Sequence, residues 1–117
     1  MNKYTELSDF EINKRVANLV LNGEYIASEE KQEVYLATKD GGELLPIAYF
    51  DPCNSPFNAM LIIIENKIGL SPMYYSDEWT ADCLDYDFIS VNKNPLRAAM
   101  EVFLMMKDAE NENNNNG

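Results

Sequence analysis

The residues best suited to chemistry lie close together in the second half of the chain. Asp77, Glu78, Asp82, Asp85 and Asp87 follow one another with no lysine or arginine among them. Carboxylates at this density could serve as an acid/base pair or hold a divalent cation through their oxygens. Tyr74, Tyr75, Trp79 and Tyr86 are interleaved with them, and such aromatic side chains dominate the energetic centres of protein interfaces. Strand alternation puts Glu78 and Asp82 on one face, and Asp85 and Asp87 on one face of the following strand. The spacing fits no calcium-binding loop, so no metal ion is assigned. The candidate protein-binding surface is therefore Tyr74, Tyr75, Asp77, Glu78, Trp79, Asp82, Asp85 and Asp87. The plainer reading is a solvated sheet face with Trp79 packed under a helix.

Other chemistries lack their groups. The chain has no histidine, so a histidine-based triad, general base or zinc ligand is unavailable to it. Cys53 and Cys83 are its two cysteines, without CxxC spacing. They read as small packing residues kept reduced inside a cell, with a disulfide between them as the lesser reading. Neither phosphate-binding glycine motif, GxxxxGK[ST] or GxGxxG, is present. No catalytic residue and no cofactor is expected, and the chain does not read as an enzyme. A small carboxylate-dependent enzyme stays open only as a lesser alternative.

Charge narrows the partners. Twenty acidic and nine basic residues give a net charge of −11, and the only adjacent basic pair is Lys14–Arg15. Nucleic-acid backbones are gripped by clustered lysine and arginine, so direct nucleic-acid binding is disfavoured. Basic protein surfaces are the partners that such a field steers toward, although solubility alone would also explain the acidity. The longest apolar run, 59–64, is far too short to cross a bilayer, and no signal-peptide pattern opens the chain. A soluble cytoplasmic protein is expected.

The elements that must position these residues are announced locally. Ser8 and Glu11 form a capping box with Leu7 and Ile12 at the staple positions. Ile12, Val16, Leu19 and Val20 then make one stripe, stopped by Gly23. Residues 24–32 are charged and aperiodic, which predicts a loop or ragged helix end. A strand over 34–38, a glycine turn at Gly41–Gly42 and a strand over 44–50 make a hairpin, with Pro46 demanding an edge or a bulge. A second helix is predicted over 57–68, ended by Gly69. A meander follows over 70–74, 78–83 and 86–91, then a final helix over 96–107. The order α-β-β-α-β-β-β-α and the short strand connections imply an α+β fold: an antiparallel sheet of about five strands packed with three helices. Residues 1–107 read as a single domain, and 108–117 as a disordered acidic, asparagine-rich tail.

Two phrases recur, NSPFNA at 54–59 and KNPLRAA at 93–99. Each is a helix opener, a capping side chain followed by a proline whose missing N–H costs nothing at that position. With LSDFEIN at 7–13, DPCNSPFNAMLIIIENKI at 51–68, Trp79 with Ala81, and NPLRAAMEVFLMM at 94–106, the chain resembles the P22-type NinX family of small phage and prophage proteins. The resemblance runs over about residues 7–107 and departs from the family pattern around 24–33. It implies a context, the accessory genes of temperate phages near replication and recombination functions, and a host bacterial cytoplasm. It implies no catalytic or binding residue, because the family has no established activity. The expected function is non-enzymatic binding of a host or phage protein. Two alternatives accompany it: an accessory factor of phage replication or recombination that touches nucleic acid, and a DNA-mimic inhibitor of a DNA-binding or defence protein.

Overall fold

Ser8 opens the first helix as the capping box requires. Its hydroxyl accepts a hydrogen bond from the Glu11 N–H at 3.1 Å, satisfying one donor that a helix start leaves orphaned. In the computed structural model, which describes residues 2–84 and 87–116, this helix, α1, spans Asp9–Val20 and buries Phe10, Ile12, Asn13, Val16 and Ala17. The expected stripe is corrected at its end. Leu19 lies at the edge of that face and Val20 closes the helix, so both are exposed. Asn22 and Gly23 together reverse the chain, at φ 52° and 82°, a conformation open to glycine and tolerated by asparagine.

The stretch 24–32 is not a loop, because Tyr25–Ser28 forms a strand, β1. It pairs antiparallel with β2 (Glu33–Asp40), Tyr25 opposite Leu36 and Ser28 opposite Glu33. The turn between them uses neither glycine nor proline. Gln32 takes φ 56°, its amide donates to the Glu29 carbonyl at 2.7 Å, and the Ser28 hydroxyl accepts from the Lys31 N–H at 3.1 Å. Polar side chains thus build a reversal that a search for Gly or Pro passes over. The next turn is the expected one. Gly41 and Gly42, at φ 61° and 89°, link β2 to β3 (Glu43–Tyr49) in the two-residue form that matches strand twist. β3 is an edge strand carrying Pro46, and it bulges at Ile47, the extra residue opposite the step from Leu36 to Ala37 of β2.

Tyr35 and Tyr49 stack across this pair, with ring centroids 5.4 Å apart. The Tyr35 hydroxyl donates to the Glu33 carboxylate, and that bond, with a smaller contribution from burial, pushes the phenol up to about 12. The sign follows from linkage. The contribution to stability is complete below about pH 10, the ordinary tyrosine value, and is lost as pH rises toward about 12. Urea midpoints measured between these limits are expected to fall more steeply for the wild type than for Glu33→Gln, which returns Tyr35 to its ordinary range. Parallel slopes would remove the role given to this bond.

Helix α2 spans Pro56–Glu65, with the Ser55 hydroxyl accepting from the Asn58 N–H at 3.4 Å. It stops before the predicted Ile68. Asn66 donates its side-chain amide to the Ile62 carbonyl at 2.8 Å, and Lys67 turns the chain at φ 52°. Ile68 is thereby released into strand β4 (Ile68–Pro72). Gly69 is not the helix stop. It pairs with Asp82, and a Cβ there would stand 2.6 Å from Asp82 Oδ1.

β4, β5 (Trp79–Cys83) and β6 (Ile89–Asn92) form a second antiparallel sheet in that order. The expected single sheet of about five strands is therefore corrected to two sheets of three. The reason is connectivity: α2 is inserted between β3 and β4, and each sheet packs its own helix. α1 lies on β1 and β2, and the final helix α3 (Pro95–Asn116) on β4, β5 and β6.

α3 supplies Ala98, Ala99, Met100, Val102, Phe103, Leu104 and Met106 to the core, closed by Ile12 and Val16 of α1 and Ala81 of β5. It continues past the Lys107 end read from sequence, so residues 108–116 are helical. Asp108 explains the extension, because it is held by the Tyr4 hydroxyl and by Lys3 at 3.2 Å, while Lys107 pairs with Glu110 one turn on.

Candidate functional site

Strand alternation divides the acidic aromatic stretch into two faces. Ala81 is fully buried and Asp82 exposed, so Trp79, Ala81 and Cys83 point toward α3, and Thr80 and Asp82 point outward. Trp79 is half-buried between its strand partners Pro72 and Asn92. Tyr74 and Tyr75 sit at the tip of the β4–β5 hairpin, 88% and 94% exposed, with rings edge to face at 4.6 Å. The tip is closed by the Met73 N–H on the Glu78 carbonyl at 3.0 Å and by Ser76 Oγ accepting from the Glu78 N–H at 3.1 Å.

At the tip, Asp77 is exposed and Glu78 half-buried, whereas Asp82, also exposed, pairs with Gly69 near the far end of β5, and the exposed Asp87 lies in the β5–β6 connection beyond it. Asp77 pairs loosely with Lys93 at 3.6 Å, so one base from the β6–α3 loop enters a group that carries none in sequence. An exposed pair of this kind contributes little stability. The tyrosines thus share the tip with Asp77 and Glu78 and not with Asp82 and Asp87, and the tryptophan supports the hairpin from the inner face. Asp85, like Tyr86, lies outside the described residues. Among those described, no group of three or more carboxylates or thiols is placed to hold a metal ion.

Sequence reasoning missed a second assembly, in which LSDFEIN, DPCNSPFN and NPLRAAME meet. Asn13 of α1 accepts the Cys53 N–H at 3.1 Å and donates to Asp51 at 2.7 Å. Asn54 donates to both Asp9 and Asp51, and the Asp51 N–H donates to Asn58 Oδ1 at 3.0 Å. Asn94 donates to the Cys53 carbonyl at 2.7 Å while its oxygen caps α3 through the Leu96 and Arg97 N–H groups.

Arg97 anchors the whole assembly. Its Nε donates to Glu101 at 2.6 Å, one terminal nitrogen to Asp9 at 2.7 Å, and the other to the Tyr4 and Leu7 carbonyls. Burial opposes its charge, but the bonds to Asp9 and Glu101 outweigh it and hold its pKa above the ordinary value. Asn2 and the Ser90 hydroxyl complete the shell of Glu101. Among the described residues, no buried side-chain nitrogen or oxygen lacks a partner.

A cleft of about 430 Å³ opens beside this assembly, between α1, the first sheet and the start of α2. Its acids, Asp9, Glu33 and Asp51, are each already held by Arg97, Tyr35 or asparagine. What the cleft offers is shape bounded by a rigid polar wall, with no free base. Cys53 is fully buried there, and burial, followed by the charge of Asp9, pushes its thiol well up. It stays protonated and is no nucleophile near neutrality. Cys53 and Cys83 are not joined in a disulfide. The signal for this assembly lay in the density of Asn and Asp in the same three strings that carry the family resemblance. Those strings are the internal bracing of the fold.

Such a chain is defined as a small acidic α+β protein of two three-stranded sheets, with an exposed tyrosine pair and a braced polar junction. Compared with known families, it matches the one described as Bacteriophage P22, NinX, over residues 3–107. It belongs to that phage family, and the P22-type resemblance seen in its strings is that of a member. Membership makes it a phage accessory protein. Comparison with curated proteins and with solved structures returns no match. Among the described residues, no helix is long and apolar enough to cross a membrane.

Proposed function

We propose that this protein acts without catalysis, by binding a host or phage protein in the bacterial cytoplasm through the β4–β5 hairpin. The observation that carries the reading is the tyrosine pair, Tyr74 and Tyr75, almost fully exposed and edge to face at the hairpin tip. Tyrosine gives a large contact area with two side-chain torsions to fix, which is why it recurs in interface centres. Asp77 stands beside it and Asp82 faces outward farther along β5, so the partner surface is basic, and charge steers the encounter. Trp79 holds the hairpin from beneath. The same field disfavours direct contact with nucleic acid.

Affinity capture from host lysate is expected to recover one stoichiometric partner. Its retention should weaken as salt rises, and it should be lost on Tyr74→Ser/Tyr75→Ser and on Asp82→Lys while both variants keep the wild-type melting temperature. Capture unaffected by these substitutions, or no partner at any salt concentration, overturns the reading.

A further inference from the structure

The cleft beside the asparagine junction is built for a ligand that brings its own hydrogen-bond donors. At about 430 Å³ it falls within the range of small-molecule sites. Phe10 and Phe50, both almost fully buried, line it from the core side, and the exposed Tyr49 ring stands at its mouth. Tyr49 is pinned there by its stack on Tyr35, so an aromatic face is held in place before anything binds. The polar wall is equally fixed. Asn13 spends its amide donor on Asp51, and Asn54 spends its own on Asp9 and Asp51. The oxygens of both amides are taken as well, by the Cys53 N–H and by Asn94.

Charge selects among the ligands that such a shape admits. Three carboxylates line the cleft, Asp9, Glu33 and Asp51, and no lysine or arginine does. Asp9 is neutralised by Arg97 at 2.7 Å. Glu33 and Asp51 are held by neutral donors, the Tyr35 hydroxyl and the two amides. Such bonds orient a carboxylate but leave its charge and spare lone pairs in place. Lys14, whose ammonium lies 5.1 Å from the Phe10 ring centroid, is already paired with Glu11 and Glu29. The cleft is thus negative, poor in donors and partly aromatic. A hard metal ion matches it badly, since it asks for converging oxygens and no three acids or thiols gather to hold one among the described residues. A guanidinium matches it well, being planar, weakly hydrated, rich in forked donors and able to stack on aromatic rings. We propose that this cleft binds a guanidinium group, with Asp51 and Glu33 supplying the acceptors and Tyr49 covering its face. The group can arrive on a small free molecule or as an arginine side chain of another chain. The site uses no residue of the β4–β5 hairpin, so it stands or falls separately from the binding function proposed above.

Amide NMR spectra of the full chain, titrated with ethylguanidinium at low salt, are expected to show saturable shifts of the Asn54 and Asn58 side-chain amides. A dissociation constant of about 1 mM suits so small a probe. The neutral isostere ethylurea should leave these signals unmoved, and so should magnesium ion. Raising salt should weaken the binding, because it rests on charge. Glu33→Gln and Tyr49→Ser lie outside the asparagine junction, and each should weaken binding by about tenfold with an unchanged far-ultraviolet spectrum. Asp51→Asn should abolish binding but also loosens the junction, so the other two variants carry the test. A capped Ala-Arg-Ala peptide that binds more tightly than ethylguanidinium supports an arginine of another chain as the source. Equal affinities support a free small molecule. No saturable shift up to about 20 mM ethylguanidinium, equal binding of ethylurea, or an affinity unchanged in both Glu33→Gln and Tyr49→Ser would each overturn the proposal.

Discussion

Replacing Arg97 with methionine is expected to cost about 3–5 kcal/mol of folding stability, a large share of the margin of a domain this size. The cost comes from what is left behind. The Arg97 side chain is 7% exposed and that of Glu101 1%, so removing the guanidinium strands a carboxylate where water cannot solvate it. The Tyr4 and Leu7 carbonyls lose their donor as well. Asp9 is the exception, since its half-exposed side chain can turn to solvent.

A buried pair is costly to break and much less costly to replace whole. Arg97→Met/Glu101→Met should therefore be markedly more stable than Arg97→Met alone. Urea denaturation of the wild type, both single variants and the double variant gives the coupling directly. A double variant no better than the single would show that Arg97 acts through its backbone bonds to the N-terminal segment. A single variant within about 1 kcal/mol of the wild type would sink the argument.

Phe103→Ala is expected to cost about 3–5 kcal/mol, the transfer energy of the ring plus a cavity that its neighbours cannot close. Phe103 is 2% exposed in the middle of α3, and the fully buried Ala99, Met100 and Val102 surround it in sequence. Small, tightly placed side chains leave little freedom to collapse. Phe57→Ala is the control. The chemistry is identical, but Phe57 faces solvent, and the change should stay within about 0.5 kcal/mol. Equal losses at the two positions would contradict the packing described for both helices.

What was legible in the sequence is what is decided locally. Ser8, Ser55 and Asn94 cap the helices they precede, and Gly41–Gly42 makes the turn it spells. β1 was hidden because Gln32 and Ser28 build its turn from side-chain hydrogen bonds that no residue type announces. The division into two sheets depends on which strands find each other across the chain, and alternation within a strand carries no such information. The α2 sequence reads as fully buried, since an apolar residue looks the same facing a core or facing solvent. At the candidate surface, the tyrosines with Asp77 and Glu78 were legible as a group, whereas the separation of Asp82 and Asp87 from them required the pairing of Asp82 with Gly69. The turning of Trp79 to the inner face required knowing that Ala81 is buried. The junction of Asn13, Asp51, Asn54 and Arg97 was visible only as three separate strings, because partners forty to ninety positions apart have no local pattern.

The order in which the ribosome delivers these pieces sets a last constraint. α3 emerges after every element it packs against, and Arg97 reaches back to Tyr4 and Leu7 at the opposite end of the chain. Until α3 appears, the inner faces of β4, β5 and β6 lack their covering helix, and Asn2 and Ser90 lack the Glu101 carboxylate they share. The protein cannot consolidate from its N-terminus outward as it is made. Its maturation is one late event, and a nascent chain stalled before residue 95 would be a client for chaperones, with Phe57, Leu61 and Ile64 of α2 already exposed.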